Sequence, residues 1–123
     1  MDAQKRILVI DDSEIDRMIL EEILVQGGYE VTQASDGKEG MEIFRAQTFD
    51  LVITDMIMPE KLGIEVLLEM NEDFPEAKVI AISAGDEYGL ELDLDMAREI
   101  DVPTISKPFQ PEEILDAVRK LLS

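Results

Sequence analysis

The sequence contains neither cysteine nor histidine. Without cysteine, disulfide bonds, thiolate chemistry and cysteine-ligated metal sites are excluded. Without histidine, the most common general base and the imidazole metal ligand are both missing. Any chemistry that this protein performs must therefore use carboxylates, hydroxyls and lysines.

Basic residues and long apolar stretches are also scarce. Only 11 lysines and arginines stand against 29 aspartates and glutamates, and the formal net charge is −18. A field of this sign repels nucleic acid and attracts divalent cations, so we expect no direct nucleic-acid contact, although most single acids only solvate helix faces. No apolar stretch approaches the ~20 residues that span a bilayer, and the run before Asp11 is too short for a signal peptide. We therefore expect a cytoplasmic protein without membrane contact.

The residues that are present alternate between short apolar runs and helical patterns. The chain has 123 residues, of which 46% are apolar, and we take residues 1–123 as one domain. Four runs are rich in β-branched residues and predict buried strands, whereas a weaker fifth follows from its position. The strands are expected at Ile7–Ile10, Tyr29–Ala34, Leu51–Ile53, Val79–Ile82 and Thr104–Ser106.

Helices are predicted after each of these strands. In the first, apolar residues recur at helical spacing from Ile15 to Leu24, after a cap at Asp12 or Ser13. The fourth is the least regular, because its leucines alternate with acids in a strand-like period. The order βαβαβαβαβα predicts an α/β fold with a parallel sheet and helices on both faces. The later helices are expected at about Gly37–Ala46, at about Gly63–Asp73, within Asp86–Ile100 and from Pro111 onward.

Polar residues close four of the five predicted strands. In an open α/β sheet, ligands bind beyond the carboxyl ends of the strands, so these side chains are expected to share one edge. The residues are Asp11 and Asp12 after the first strand, Asp55 after the third, Ser83 after the fourth and Lys107 after the fifth.

The acids at this edge repel one another unless they take up protons or bind a cation. A hard divalent ion such as Mg²⁺ suits oxygen ligands, and it combines one or two carboxylates with waters and phosphate oxygens. An ammonium from Lys107 and a hydroxyl from Ser83 would cradle a phosphoryl group beside that ion, with Asp55 as the nucleophile. Each residue alone is an ordinary turn or cap residue, and it is their arrival at one edge that predicts a site.

These motifs resemble the receiver domains of bacterial response regulators over Lys5 to Leu122. The matching residues are Ile7 to Asp12, Asp55 to Pro59 with Gly63, Ser83-Ala84, and Lys107-Pro108-Phe109. The resemblance implies a flavodoxin-like receiver fold, with five parallel strands in the order 2-1-3-4-5 and five helices on two faces. It also implies a cis peptide bond between Lys107 and Pro108.

The same resemblance implies a phosphorylation site and a metal site. Asp55 would accept a phosphoryl group from a histidine kinase or a histidine phosphotransfer protein. Asp12 and Asp55 would hold Mg²⁺ together with the backbone carbonyl of Ile57, and Asp11 would act mostly through a bound water.

The resemblance further implies a switch that an output protein reads. Lys107 would contact the phosphoryl group, and Ser83 would hydrogen-bond to it. The loop that begins at Ala84 would follow Ser83 and remodel the face of the fourth helix, fifth strand and fifth helix. Thr104 stands where the family commonly has Tyr or Phe, so the aromatic switch is absent and its replacement stays open.

Three other interpretations compete with a phosphorylated receiver. The chain could be a static receiver-like interaction module, or a receiver from a longer regulator or hybrid kinase. It could also be a phosphatase with an aspartyl nucleophile, but such enzymes commonly need a second Asp where Ile57 stands, and no length remains for a lid domain. We therefore expect a phosphoacceptor rather than an enzyme. The sequence identifies neither the kinase, the output partner and pathway nor the oligomeric state.

Overall fold

The computed structural model describes residues 4–55, 63–83 and 103–122. The helix expected within Asp86–Ile100 lies outside these residues. No helix in the described ranges combines the length and the apolar character needed to cross a membrane. The elements are β1 (Arg6–Ile10), α1 (Glu14–Gln26), β2 (Glu30–Ala34), α2 (Gly37–Ala46), β3 (Leu51–Asp55), α3 (Gly63–Asp73), β4 (Val79–Ser83), β5 (Thr104–Ser106) and α4 (Pro111–Leu122).

The five strands form one parallel sheet in the order β2-β1-β3-β4-β5. The predicted strand order is therefore confirmed. After β2, the chain crosses to the other side of β1, so the carboxyl ends of β1 and β3 lie side by side. Ile10 pairs with Thr54, and the next residues along these two strands are Asp11 and Asp55.

The sheet is buried on both faces. Alternate side chains of β1 point to opposite sides, so Leu8 and Ile10 pack with α2 and α3 while Ile7 and Val9 pack with α1 and α4. All five residues of β3 are buried. Two covered faces explain why the central strands are continuous apolar runs rather than alternating ones.

Side-chain caps start the first two helices, and Ser13 is one of the two caps predicted for α1. The Oγ atom of Ser13 accepts a hydrogen bond from Asp16 N at 3.3 Å, and a side-chain oxygen of Asp36 accepts one from Glu39 N at 2.8 Å. These side chains satisfy backbone donors that the first turn of a helix leaves unpaired. The start of α1 is thereby set directly after the acids that end β1.

The apolar repeat in α1 marks the helix correctly but divides between two faces. Leu20, Ile23 and Leu24 are buried against the sheet. Ile15, Met18 and Ile19 are instead 70%, 58% and 40% exposed. Helical spacing alone does not distinguish a second apolar stripe from the core-facing one.

Gly40 allows a close approach between α2 and β1. A Cβ atom at this position would lie 2.4 Å from Cδ1 and 2.7 Å from Cγ1 of Ile10, whose side chain is fully buried. Alanine normally stabilises a helix interior relative to glycine. Here the contact with Ile10 should reverse that sign.

We expect Gly40→Ala to lower the free energy of unfolding by about 1–2 kcal/mol, because overpacking outweighs the better helix propensity. Ile10→Val removes the clashing Cδ1 atom, so the double variant should lose less than the two single variants together. Urea unfolding followed by circular dichroism measures all four proteins. Strictly additive losses would show that the contact does not limit position 40.

Candidate functional site

Three carboxylates meet at the carboxyl edge of β1 and β3. One oxygen each of Asp11, Asp12 and Asp55 lies within 4.8 Å of the others. Asp11 and Asp55 are buried, whereas Asp12 is exposed. The paired ends of the two central strands place two of these acids, and the chain turns into α1 directly after the third.

Asp11 is held by main-chain hydrogen bonds on one side only. Its N–H donates to Ala34 O at 3.1 Å, and its Oδ1 atom accepts from Ser13 N at 2.9 Å. Its Oδ2 atom is buried without a hydrogen-bond partner in the part of the chain that the structure describes. A buried carboxylate oxygen without a hydrogen bond is costly unless a proton or a cation approaches it, and the Lys107 ammonium does so only at 3.4 Å. With its oxygen-only donors, this cluster suits a hard divalent cation.

Lys107 brings a positive charge to this cluster from the end of β5. Its Nζ atom lies 2.6 Å from Asp16 Oδ2, 3.3 Å from Asp55 Oδ2 and 3.4 Å from Asp11 Oδ2. Partial burial lowers the pKa of the ammonium, but the hydrogen bond to Asp16 and the nearby negative charges outweigh it and raise that pKa. Lys107 is therefore charged throughout the physiological pH range. The Lys107-Pro108 peptide bond is cis, as the resemblance implied.

Burial is the largest influence on the pKa of Asp11, and it raises that pKa. The hydrogen bond from Ser13 N acts in the opposite direction, while the negative charge of Asp55 raises the pKa again and Lys107 lowers it. The result is a pKa of about 7 instead of 3.8. Without a cation, Asp11 is consequently protonated in a large fraction of molecules at neutral pH.

Asp16 is a site residue that sequence reasoning does not reveal. It lies in the first turn of α1 with a second acid, Glu14. In the sequence it is one helix acid among many, and most such acids only face solvent. It lies in the helix turn that follows Asp11 and Asp12. That position indicates a site residue only when the structure shows that Lys107 reaches this turn.

Arg17 braces the turn that carries the acids. Its guanidinium donates to Asp11 O at 2.6 Å and to Gln33 Oε1 at 3.0 Å. Gln33, on β2, in turn donates to Glu21 Oε2 at 2.8 Å. These hydrogen bonds connect the turn between β1 and α1 to α1 itself and to β2.

The remaining predicted site residues are placed only in part. Ser83 ends β4 and pairs with Ser106 of β5, so its backbone reaches the same edge. Thr104 begins β5 and is exposed. Ile57 and Ala84 lie outside the described residues. The roles assigned to these four positions stay predictions.

Comparison with known proteins places this site in context. A sequence profile of the response regulator receiver domain matches residues 7–119. The chemotaxis protein CheY of Thermotoga maritima is 36% identical over 118 residues, which cover 95% of this chain and 97% of that protein. Sporulation initiation phosphotransferase F of Bacillus subtilis is 37% identical over 120 residues, or 96% of this chain and 94% of that protein. The solved structure of response regulator protein TrrA from Thermotoga maritima, in complex with Mg²⁺ and BeF, is 36% identical with a TM-score of 0.86, and the match covers 97% of this chain and 100% of TrrA.

The raised pKa of Asp11 predicts a pH dependence of stability in metal-free buffer. Between about pH 4 and pH 7 the folded state binds more protons at this group than the unfolded chain does, so stability must fall as the pH rises. From about pH 5 to about pH 8, the parent should lose about 1–3 kcal/mol that Asp11→Asn does not lose. Urea unfolding with a chelator present measures this difference.

Asp12→Asn is the control for this experiment. It removes an exposed charge from the same cluster and should keep the pH dependence of the parent protein. Parallel stability profiles for Asp11→Asn and the parent would show that the burial of Asp11 does not produce the effect.

Proposed function

The chain belongs to the response regulator receiver domain family, and we propose on that premise that Asp55 is its phosphorylated residue. Receiver domains of this family are phosphorylation-switched signalling proteins of two-component systems rather than metabolic enzymes. In this chain, Asp55 would take a phosphoryl group from a phosphohistidine donor in the cytoplasm. The proposal treats residues 1–123 as one receiver domain.

The placement of Asp55 between a buried acid and an ammonium is the observation that carries this proposal. Asp55 is 4% exposed at the end of β3, and its Oδ2 atom lies 3.3 Å from Lys107 Nζ. In the transfer step, a carboxylate oxygen of Asp55 forms a bond to phosphorus while the bond from phosphorus to the donor imidazole breaks. The leaving imidazole takes the electron pair of that bond.

Phosphoryl transfer depends mainly on positioning and on neutralising the oxygens of the transferred group. Lys107 supplies one positive charge for those oxygens. Asp11, Asp12 and Asp55, with the carbonyl of Ile57, would hold Mg²⁺. When bound, that ion would supply the remaining positive charge at the phosphoryl oxygens. The buried Oδ2 atom of Asp11 accepts no hydrogen bond from the described residues and has the Lys107 ammonium at 3.4 Å, which supports a further cation at this place. The solved structure of TrrA, a similar protein, is a complex with Mg²⁺ and BeF.

Phosphorylation would convert this chemistry into a signal. The acyl phosphate carries about 1.5–2 negative charges where the Asp55 carboxylate carried one, and it brings strong acceptor oxygens. Ser83 would hydrogen-bond to the phosphoryl group, and the loop from Ala84 would follow it. The surface beside β5 and α4 would change, and an output protein would read that change. Position 104 on β5 carries an exposed threonine. This switch would therefore work without an aromatic ring at that position.

We assign the docking of the histidine donor to the first two turns of α1. The donor must bring its imidazole into contact with the phosphoacceptor, so it has to cover the surface that borders Asp16 and the site. The side chains of Ile15, Met18 and Ile19 form an exposed apolar patch at this border. Apolar side chains this exposed on a highly charged protein are suited to a partner surface.

The phosphoacceptor assignment predicts that Asp55→Asn abolishes labelling by acetyl phosphate, because the amide is a poor nucleophile. A phosphate-affinity gel measures the labelled fraction, and the parent should lose labelling when Mg²⁺ is chelated. Asp116→Asn is the control: it changes an exposed aspartate on α4 and should be labelled to the same extent as the parent. Full labelling of Asp55→Asn would place the phosphoryl group on another residue.

The docking assignment predicts that Ile15→Ser slows phosphotransfer from a histidine donor by about tenfold, since exposed apolar anchors carry much of an interface's free energy. The donor is any kinase or phosphotransfer domain that labels the parent in a panel. Labelling by acetyl phosphate should not change, because this small donor needs no protein surface. Val25→Ser, at the far end of α1 and 54% exposed in the parent, is the matched control. Equal slowing by both variants would refute the assignment.

A further inference from the structure

Lys107 makes its shortest ion pair outside the proposed phosphoryl site. Its Nζ atom is 2.6 Å from Asp16 but 3.3 Å from Asp55 and 3.4 Å from Asp11. We infer that Asp16 is a positioning residue that draws the Lys107 ammonium toward α1 and competes with the phosphoryl group for it. This inference rests on the proposed function, and it assigns to Asp16 the control of how tightly a phosphoryl group is held.

The competition is strong because both partners are shielded from water. The side chain of Lys107 is 20% exposed and that of Asp16 is 24% exposed. A charge-assisted hydrogen bond at 2.6 Å is short, and in a partly buried place salt screens it less than a surface pair. Asp16 is therefore more than a diffuse contribution to the acidic surface.

The backbone that carries Asp16 is held in place at the start of α1. Its backbone N–H donates to the capping Oγ of Ser13, and Arg17 N donates to Ser13 O at 3.0 Å. The guanidinium of Arg17 also donates to Asp11 O. The first turn of α1 is thus tied to the loop of acids, and the adjustment falls on Lys107.

The ammonium has three N–H donors, and in the structure three carboxylates surround it. A phosphoryl group on Asp55 would bring new anionic oxygens, and Lys107 would have to lengthen its bond to Asp16 to serve them. The charge of Asp16 also repels those oxygens directly. Both effects of Asp16 weaken the binding of a phosphoryl group. The binding of a dication differs, because each additional carboxylate attracts it.

The deciding variant is Asp16→Asn, which keeps the side-chain shape and removes its charge. At saturating Mg²⁺, the Kd for beryllofluoride should fall about threefold to tenfold. Beryllofluoride is the probe because it has the charge and geometry of a phosphoryl group. Asp16→Ser is a second charge-free variant and should change the Kd in the same direction, whereas Asp16→Glu should stay closer to the parent.

Glu14→Gln is the matched control. It removes the same charge from the same helix turn, but Glu14 is exposed and is not among the ion-pair partners of Lys107 in the described residues. Its Kd should stay within about twofold of the parent, as a screened surface charge requires.

A second readout needs neither metal nor beryllofluoride. In the free protein, the ¹⁵Nζ and ¹³Cε resonances of Lys107 should shift in Asp16→Asn and stay unchanged in Glu14→Gln. A merely structural effect of Asp16 on the start of α1 would lower the urea midpoint without moving these two resonances.

The outcomes separate this inference from the proposed function. Equal or weaker beryllofluoride binding by Asp16→Asn, with the parent still binding, would overturn the competition and leave the phosphoacceptor assignment standing. Unmoved Lys107 resonances would overturn it as well. Failure of the parent to bind beryllofluoride with Mg²⁺ would overturn the proposed function and this inference with it.

Discussion

The carboxylates at the ends of β1 and β3 repel one another, and the electrostatics of the site follow from that repulsion. Asp11 and Asp55 are buried side by side, and the ammonium of Lys107 approaches both. One positive charge does not balance them: the ammonium lies 3.4 Å from Asp11 Oδ2 without donating a hydrogen bond to it, and the pKa of Asp11 still rises to about 7. The site therefore favours the binding of cations, and it disfavours the binding of an anion that arrives without a cation.

The parallel sheet is what makes such a concentration of charge possible. Its central strands β1, β3 and β4 are mainly apolar because both of their faces are covered, so the polar groups of these strands lie at their ends. The pairing of Ile10 with Thr54 then places the two following aspartates next to each other. Lys107 arrives at the same edge because β5 runs in the same direction, even though 52 residues separate it from Asp55 in the chain. The free energy gained by packing the apolar layers thus keeps like charges close together although they repel one another.

Helix α1 connects the proposed chemistry to the proposed donor surface. Asp16 in its first turn forms an ion pair with Lys107. The next residue, Arg17, donates a hydrogen bond to Asp11 O. The same two turns present the exposed side chains of Ile15, Met18 and Ile19. A donor that packs on these side chains would stand next to the ion pair that holds Lys107. Donor docking is therefore proposed on the first two turns of α1, next to the strand ends where phosphoryl transfer is proposed.

The strands and helices of the described ranges and the acids at the strand ends could be read from the sequence, because they depend on local chemistry. Apolar β-branched runs predicted the strands, the cap offered by Asp12 or Ser13 predicted the start of the first helix, and strand-end polar residues such as Asp55 predicted the edge that carries the site. The resemblance to receiver domains supplied the strand order, which the structure confirms.

The packing of distant segments, by contrast, determines which helix acid meets Lys107 and which apolar face of α1 is exposed. Asp16 and Lys107 are 91 residues apart in the chain, and no pattern within α1 distinguishes Asp16 from Glu14. Likewise, Leu20 and Ile19 are adjacent in one apolar repeat, yet the first is buried and the second is 40% exposed. Local periodicity specifies that a helix forms, whereas the partners of each side chain depend on how distant segments pack against it.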